Sequence, residues 1–300
     1  MVLGAGGFIG RQLSEALATA GCTVIAATRR PATFQHPSIV NVVASYEEAA
    51  DFAAPLASCF AVVHAASSST PGSSEARPQL DGNLRATLAL IEALQVRTDL
   101  RLLYLSTGGA LYGDHRRAVS EDAPLRPRSY HGAGKAAAEL FLNAWAEQYG
   151  GSAVVLRPSN VYGPGQSRRQ GFGIVPAAFN ATRLREALPI WGDGSTVRDF
   201  LYIDDLLDLC GRVLTGEWLP GLRRYNAAYG RGTSLNELLD RVDAATGHRI
   251  LRDYRPPRRV DLASVVPDSS AALAAYGWAP RVPLEQGLAS TWAWYQSHAE

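Results

Sequence analysis

The sequence contains little cysteine, and its three cysteines show no pairing pattern. Cys22, Cys59 and Cys210 are far apart and lie in apolar segments. An odd number of widely spaced cysteines predicts buried free thiols rather than disulfides or a metal cage. The six histidines, at positions 36, 64, 115, 131, 248 and 298, also lack the spacing of metal ligands. We therefore expect neither a disulfide framework nor a metal site.

The chain also lacks an excess of charge and long hydrophobic runs. With 29 basic and 28 acidic residues its net charge is +1, so no general attraction to nucleic acid or to anionic membranes is expected. Its apolar stretches are too short to span a bilayer, and no signal-peptide pattern precedes the first glycines. We expect a cytoplasmic protein. A length of 300 residues, 47% of them hydrophobic, allows one large domain or two.

A glycine-rich turn lies almost at the first residue. Gly4, Gly7 and Gly10 stand between Val2-Leu3 and a helix-like stretch that ends at Gly21. Such glycines let the backbone turn off a strand, approach a pyrophosphate and pack the next helix closely. A second apolar strand follows that helix, which is the βαβ context that the motif requires. The pattern predicts a dinucleotide site after a very short first strand, unless further residues precede it.

Apolar, strand-like runs alternate with helix-like segments in the first half of the chain. The runs cover 24–27, 61–64, 102–106 and 153–156, and helices are predicted over 83–96, 136–149 and 203–214. Strands that are apolar throughout suit a parallel sheet covered on both faces. We predict an α/β fold with a Rossmann-type, doubly wound parallel sheet. A dinucleotide-binding domain is expected over 1–165, with segments near 198–230 returning to it, and a smaller, mainly substrate-binding domain over 166–300.

The second predicted strand ends in Thr28-Arg29-Arg30. An NAD site usually offers a carboxylate here to the adenosine ribose, and this chain has none. A hydroxyl and two guanidinium groups suit a 2′-phosphate, because arginine pairs bidentately with phosphate oxygens. We therefore prefer NADP over NAD as the cofactor. The alternative is that Arg29 and Arg30 only begin a solvated loop.

Several motifs occur in a fixed order along nearly the whole chain. With the first glycines they are Val63-His64-Ala65-Ala66, Asn83-Leu84-Arg85-Ala86-Thr87, Leu105-Ser106-Thr107-Gly108-Gly109-Ala110-Leu111-Tyr112-Gly113, His131-Gly132-Ala133-Gly134-Lys135-Ala136-Ala137-Ala138-Glu139, Leu156-Arg157-Pro158-Ser159-Asn160-Val161-Tyr162-Gly163-Pro164, Arg198-Asp199-Phe200-Leu201-Tyr202-Ile203-Asp204-Asp205, Gly277-Trp278-Ala279-Pro280 and Leu284-Glu285-Gln286-Gly287-Leu288. In this order they resemble the extended short-chain dehydrogenase/reductases. Within that family the chain is most similar to the NAD-dependent nucleotide-sugar epimerase/dehydratase group, of which UDP-glucose 4-epimerase is the best-known member.

The resemblance implies a proton relay made of a tyrosine and a lysine four residues apart, beside a nicotinamide that takes the hydride. Counting back four residues from Lys135 reaches His131, and Tyr130 lies about 100° further round the helix. Tyr130 could serve only if the helix start were distorted. An imidazole could act as acid or base, although the Lys135 ammonium would lower its pKa. His131 is thus the candidate, unless it is a helix-start residue without a chemical role.

The family's relay hydroxyl is altered as well. Gly108 stands where relatives have serine or threonine, and Ser106 and Thr107 are the nearest substitutes. The matching lysine of relatives bonds the nicotinamide ribose, so Lys135 is expected to bind cofactor even without the tyrosine. Glu139, four residues further, is expected to anchor it.

The resemblance also implies two sets of binding residues. Among the residues expected to bind substrate, Arg255 or Arg259 could take the place of Arg258. The Ser67–Ser74 loop could offer hydroxyls to a hexose. The expected cofactor-binding residues are Gly4, Gly7, Phe8, Ile9, Gly10, Thr28, Arg29, Arg30, His64, Ala65, Ala66, Asn83, Lys135 and Pro158, and those for the diphosphate and ribose of a sugar nucleotide are Asn160, Arg198, Arg258 and Asp261.

Three functions are compatible with these residues. The first is epimerisation of a nucleotide sugar by hydride transfer at a ring carbon, most simply C4. The second is an NADPH-dependent reduction of a nucleotide ketosugar, which the two arginines after the second strand favour. The third is a binding protein that has lost the chemistry of its fold. Relatives pair through the helices that correspond to 83–96 and 136–149, so a homodimer is expected.

Overall fold

The computed structural model describes residues 1–67, 75–166 and 173–298. Its strands, in chain order, are β1 Val2–Leu3, β2 Val24–Thr28, β3 Ile39–Val43, β4 Ala61–His64, β5 Arg101–Leu105, β6 Ser152–Pro158, β7 Asn160–Tyr162, β8 Ala187–Trp191, β9 Val197–Arg198, β10 Phe200–Tyr202, β11 Gly221–Ala227, β12 Thr233–Ser234, β13 Leu251–Arg255 and β14 Ser264–Val265. Its α-helices are α1 Phe8–Thr19, α2 Ala50–Leu56, α3 Arg77–Gln79, α4 Arg85–Leu94, α5 Tyr130–Tyr149, α6 Ile174–Leu184, α7 Ile203–Thr215, α8 Leu235–Thr246, α9 Ser270–Tyr276 and α10 Leu284–Ser297, and a π-helix, Leu80–Leu84, joins α3 to α4.

A seven-stranded sheet forms the centre of the fold, in the order β11-β6-β5-β4-β1-β2-β3. The pairings of β3, β2, β1, β4, β5 and β6 are all parallel. This confirms the predicted α/β fold with a parallel, doubly wound sheet. The four predicted strands and three predicted helices are all present, and β1 is only two residues long. The sequence analysis missed β3, whose residues are mostly half-buried.

The chain folds into two compact units. The first unit comprises Met1–Thr107, Ser129–Arg157 and Leu207–Tyr225, and the second comprises Gly108–Arg128, Pro158–Leu206 and Asn226–Glu300. The domain boundaries expected from the sequence stay a prediction. The core of the first unit is apolar and includes Leu102 and Leu142, which are fully buried.

Helix α5 is the longest helix of the described chain, and its ends follow from local residues. Ser129 caps its first turn by accepting a hydrogen bond from Gly132 N at 3.2 Å, and Gly150 ends it with φ +71°. Helix α8 begins with the capping box expected from Ser234 and Glu237. All three cysteines are free, as predicted, but only Cys210 is fully buried.

No helix within the described ranges is long and apolar enough to cross a membrane.

We expect Gly4→Ala to lower the free energy of unfolding of the first unit by about 3 kcal/mol. An alanine would be strained at the positive φ of this position, and its Cβ would also clash with a neighbouring backbone. Gly4 has φ +86°, and a Cβ there would lie 2.6 Å from Cα and N of Ala66. Urea unfolding measures the loss. Gly21→Ala is the matched control, since Gly21 has φ +92° but open space around it. Equal losses in the two variants would contradict the proposed clash.

Candidate functional site

The glycine turn is built for the close approach of another backbone or of a ligand. Gly4 N donates to Ala27 O at 3.1 Å, and Gly7 N donates to Gly4 O at 2.9 Å. A Cβ on Gly10 would collide with Gly4 O, so α1 packs against the turn only because this residue is glycine. Gly7 caps α1 without a side chain, which leaves the first N–H groups of the helix available to an anion.

The loop after β2 presents two exposed arginines. Thr28 Oγ1 donates to Arg30 O at 2.7 Å and accepts from Asn41 Nδ2 at 2.8 Å. Asn41 also accepts from Ala32 N, so it holds both ends of the loop. Arg29 and Arg30 are exposed, and their guanidinium groups make no ion pair within the described part of the chain. The hydroxyl of Thr28 is therefore engaged in the turn, whereas the two guanidinium groups are free to meet a ligand.

At the end of β4, the buried His64 belongs to a polar chain. Thr87 Oγ1 lies 3.1 Å from His64 Nε2 and donates to Asn83 O at 2.9 Å. Because the Thr87 proton goes to Asn83, His64 Nε2 is the donor to Thr87. Burial, followed by the charge of Lys135, lowers the pKa of His64 to about 3. His64 is thus neutral, and its Nδ1 is a buried acceptor with no hydrogen-bond partner among the described residues.

Helix α5 places His131 and Lys135 on one buried face. Their exposures are 7% and 4%, whereas Tyr130 is 50% exposed. The first turn of the helix is regular, since Ala133 N donates to Ser129 O at 3.0 Å. The distortion that Tyr130 would need to share this face is therefore absent from α5.

Burial shifts the pKa of both groups on this face. It lowers the pKa of His131 to about 4, with a further contribution from the Lys135 ammonium. Burial also lowers the pKa of Lys135 to about 8, against the opposing effect of Glu139. At neutral pH the pair is thus a neutral imidazole beside an ammonium. Lys135 Nζ donates to Leu105 O at 2.8 Å, which ties it to the end of β5.

The two candidate hydroxyls after β5 differ in their availability. Ser106 Oγ donates to Glu139 Oε1 at 2.5 Å, so its proton is engaged. Thr107 is half-buried, and its hydroxyl makes no hydrogen bond within the described ranges. Glu139 does not anchor Lys135 by an ion pair, contrary to the sequence analysis, because its carboxylate binds the buried Arg157 at 2.6 Å.

In the second unit, Asp199 joins two of the expected substrate residues. Asn160 donates to Asp199 O from both N, at 3.1 Å, and Nδ2, at 2.8 Å. The Asp199 carboxylate accepts from Ser159 Oγ and from the backbone N–H groups of Tyr229 and Arg231. Arg198 directly precedes Asp199, so one buried residue fixes the backbone positions of both Asn160 and Arg198.

The remaining expected substrate residues pair with each other. Arg258 binds Asp261 through two hydrogen bonds, Nε to Oδ2 at 3.0 Å and Nη2 to Oδ1 at 2.8 Å. Burial lowers the pKa of Arg198, while Asp261 and Asp114 oppose that effect. Arg198, Arg258 and Asp261 are thus electrostatically linked. Arg255 pairs with Asp253 instead.

The loop residues 68–74 lie outside the described residues. Pro158 belongs to the second unit, where its carbonyl accepts from Gly108 N at 2.6 Å. The sequence analysis missed Asn41, Arg157 and Asp199 as supporting residues. The signal for Arg157 was its position directly after the apolar run 153–156, within what became β6, since a buried arginine needs a partner.

Known proteins resemble this chain over most of its length. The sequence model of the NAD dependent epimerase/dehydratase family matches residues 1–228. The UDP-glucose 4-epimerase of Mycolicibacterium smegmatis is 32% identical over 219 residues, which cover 73% of this chain and 69% of that protein. The chain therefore belongs to the NAD dependent epimerase/dehydratase family, as the sequence motifs predicted.

Two solved structures show the same fold. UDP-glucose 4-epimerase from Thermotoga maritima, solved with UDP-glucose, has a TM-score of 0.92 and 28% identity, and the match covers 100% of this chain and 99% of that chain. UDP-glucose 4-epimerase from Thermus thermophilus, in complex with NAD, has a TM-score of 0.89 and 28% identity, with 99% of each chain covered.

The residues of the first unit fit a nicotinamide dinucleotide. The glycine turn leaves a cradle that a Cβ would fill at Gly4, and α1 begins without a side-chain cap. The buried acceptor of His64 and the Lys135 ammonium lie in the same unit and interact electrostatically. These features belong to the loops after β1, β4 and β5, which are adjacent parallel strands, so they share one edge of the sheet.

Proposed function

We propose that the protein is a nucleotide-sugar 4-epimerase in which His131 replaces the usual relay tyrosine. The observation that carries the proposal is the buried pair of His131 and Lys135 on one face of α5. The pair supplies a neutral proton acceptor beside a cation, which are the two groups that carbinol oxidation needs. Membership of the epimerase/dehydratase family supports the reaction class.

The chain's own residues would handle the proton and the orientation. A bound nicotinamide dinucleotide would supply a reversible hydride acceptor for the sugar carbon. His131 would take the proton of the hydroxyl on that carbon and later return it. Because the hydride would also return to the same carbon, on its other face, the reaction has no net redox change. Lys135 would hold the cofactor ribose with the N–H groups that Leu105 O leaves unused. Thr107, whose hydroxyl binds no other described residue, is better placed than Ser106 to orient the sugar hydroxyl.

For the cofactor, we propose that Arg29 and Arg30 bind the 2′-phosphate of NADP. Both are exposed, and the turn that carries them is fixed by Thr28 and Asn41. No carboxylate stands at residues 28–30 to accept ribose hydroxyls. This preference would differ from that of the Thermus relative, whose structure contains NAD.

For the substrate, we propose a sugar joined to a nucleoside diphosphate. Arg198, with Arg258 and Asn160, would bind the diphosphate, and Asp261 would bind the ribose hydroxyls. A protein of net charge +1 needs such local arginines to bind a dianion. The Thermotoga relative was solved with UDP-glucose, which is consistent with this class.

We also propose that the protein forms a homodimer through α4 and α5. Leu140 and Phe141 on α5 are 66% and 45% exposed, and Val96, just after α4, is 85% exposed. Exposed apolar side chains on neighbouring helices are typical of a subunit interface.

If His131 is the relay group, activity with UDP-sugars should be lost only as the pH approaches 4, where the imidazole is protonated. On the alkaline side it should decline near pH 8 as Lys135 loses its proton. His131→Phe should abolish turnover while cofactor still binds. His131→Tyr restores the family spacing and should keep or raise turnover. NMR of a panel of UDP-, GDP- and dTDP-sugars measures the products.

Three outcomes would overturn this assignment. Full turnover by His131→Phe would transfer the relay to Tyr130 or Thr107. If only His131→Tyr combined with Gly108→Ser turns over sugar nucleotides, the natural chain is a binding protein. Consumption of NADPH with a 4-keto sugar, without epimerisation, would identify a reductase instead.

Isothermal titration calorimetry with NAD and NADP tests whether Arg29 and Arg30 bind the 2′-phosphate of NADP. We expect tighter binding of NADP, and loss of that preference in Arg29→Ala and Arg30→Ala, because each removes a charge-assisted bond. Arg249→Ala, an exposed arginine of the second unit, is the control and should keep the parent preference. Tighter binding of NAD by the parent would refute the assignment.

Arg198→Ala should weaken the binding of a sugar nucleotide by about 1.5–3 kcal/mol, since a charge-assisted bond to phosphate is lost. The affinity for the dinucleotide cofactor should stay at the parent value. Calorimetry measures both, again with Arg249→Ala as control. An unchanged affinity for the sugar nucleotide would contradict a role for Arg198.

Sedimentation analysis tests the dimer. The parent should sediment as a dimer, and Leu140→Asp should give monomers because a charge would be buried at the interface. Leu273→Asp changes an equally apolar side chain, 52% exposed on α9, and should stay dimeric. A monomeric parent protein, or a dimeric Leu140→Asp variant, would rule out this interface.

A further inference from the structure

The chain contains a single lysine. Of its 29 lysine and arginine residues, only Lys135 is lysine. Arginine stays charged in proteins, whereas a buried lysine can lose its proton. Lys135 is 4% exposed, and burial lowers its pKa to about 8. The charge of this side chain near neutral pH therefore depends on its neighbours.

The groups that face Lys135 come from its own helix and from two strands. His131 and Glu139 lie one turn before and one turn after it on α5. His64 at the end of β4 is neutral, and the ring of Tyr104 on β5 lies 4.7 Å from Lys135 Nζ. Glu139 is the one carboxylate in this set, and its charge raises the pKa of Lys135.

Glu139 accepts hydrogen bonds from Ser106 and Arg157, and a second guanidinium group, that of Arg224, forms a longer ion pair with it. Ser106 Oγ lies 2.5 Å from its carboxylate, and Arg157 Nη2 lies at 2.6 Å. Arg224 Nε lies at 3.5 Å from Glu139 Oε2, and its side chain is 29% exposed, against 2% for Glu139. Two guanidinium groups thus bind one buried carboxylate, whose charge also acts on the Lys135 ammonium. Each guanidinium group offsets part of that negative charge and so reduces its effect on Lys135.

We propose that Glu139 is a positioning residue that keeps Lys135 in its ammonium form, and that Arg224 at the exposed edge of this cluster weakens the effect. The inference rests on the proposed function in one respect, namely that the Lys135 ammonium binds the ribose of the cofactor. An ammonium has three donors, of which one bonds Leu105 O. A neutral amine would have one donor fewer and no charge, so cofactor binding would weaken.

The single lysine makes a direct measurement possible. Protein grown with 13C-labelled lysine gives one 13Cε signal, which needs no assignment and reports the protonation of Lys135. We expect a midpoint near pH 8 for the parent. Glu139→Gln should lower the midpoint by about one pH unit or more. Arg224→Ala should raise it by a smaller amount, because Arg224 is partly exposed and screened.

Arg223→Ala is the matched control. Arg223 precedes Arg224 on β11 and donates to Leu219 O rather than to Glu139, so the midpoint should equal that of the parent. Isothermal titration of NAD and NADP gives a second readout. Glu139→Gln should bind cofactor like the parent at pH 6 and more weakly than the parent at pH 8.

Removal of the carboxylate leaves Arg157 buried without its partner, which is strongly destabilising. If Glu139→Gln does not fold, Arg224→Ala decides the test alone, since its predicted shift has the opposite sign. An unchanged midpoint in folded Glu139→Gln, or a midpoint at or below the parent value in Arg224→Ala, overturns the inference. Shifted midpoints without turnover of any sugar nucleotide would overturn only the proposed function.

Discussion

The ion pair between Glu139 and Arg157 joins α5 to β6 inside the first unit. Both side chains are 2% exposed, and replacing either one alone would leave the other charge buried. The pair fixes the rotation of α5 about its axis, because Glu139 must face the sheet. Residues four and eight positions earlier on the helix, Lys135 and His131, then face the same way. The proposed relay thus depends on a contact that takes no part in the chemistry.

That constraint explains why His131 is buried whereas its neighbour Tyr130 is half-exposed. One helical position changes the direction of a side chain by about 100°. The buried position receives the imidazole, and the phenol is half-exposed. An imidazole in such surroundings is neutral at physiological pH, so it can accept a proton without first losing one. A phenol would need the neighbouring ammonium to ionise it, which makes the lysine's charge less critical to a histidine relay than to a tyrosine relay.

The fold was predictable because its strongest signals are local. Apolar runs separated by amphipathic segments predicted the parallel sheet, and the glycine spacing placed the turn after β1. The short, half-buried β3 was missed because it lacks a continuous apolar pattern. Helix α5 starts six residues before the predicted start, because Ser129 caps its first turn. The sequence indicated this start only weakly, since the first turn contains a glycine, which disfavours a helix.

The sequence predicted which side chains of the site face inward. It predicted their hydrogen-bond and ion-pair partners less well. The helical spacing of His131 and Lys135 gave their shared face. The spacing of Lys135 and Glu139 suggested an ion pair, but the buried guanidinium of Arg157 competes for that carboxylate more effectively. Long-range partners of this kind, like Asp199 for Asn160, depend on strand order and leave little trace in the local sequence.

The confinement of lysine to one buried position has a consequence for proteolysis. A protease specific for lysine has one peptide bond to cut, in the second turn of α5, where the side chain is inaccessible in the folded chain. Cleavage requires this helix to leave the sheet, so the cleavage rate reports every opening, local or global, that releases α5. Ligands that bind the face of α5 would slow that cleavage in proportion to their occupancy.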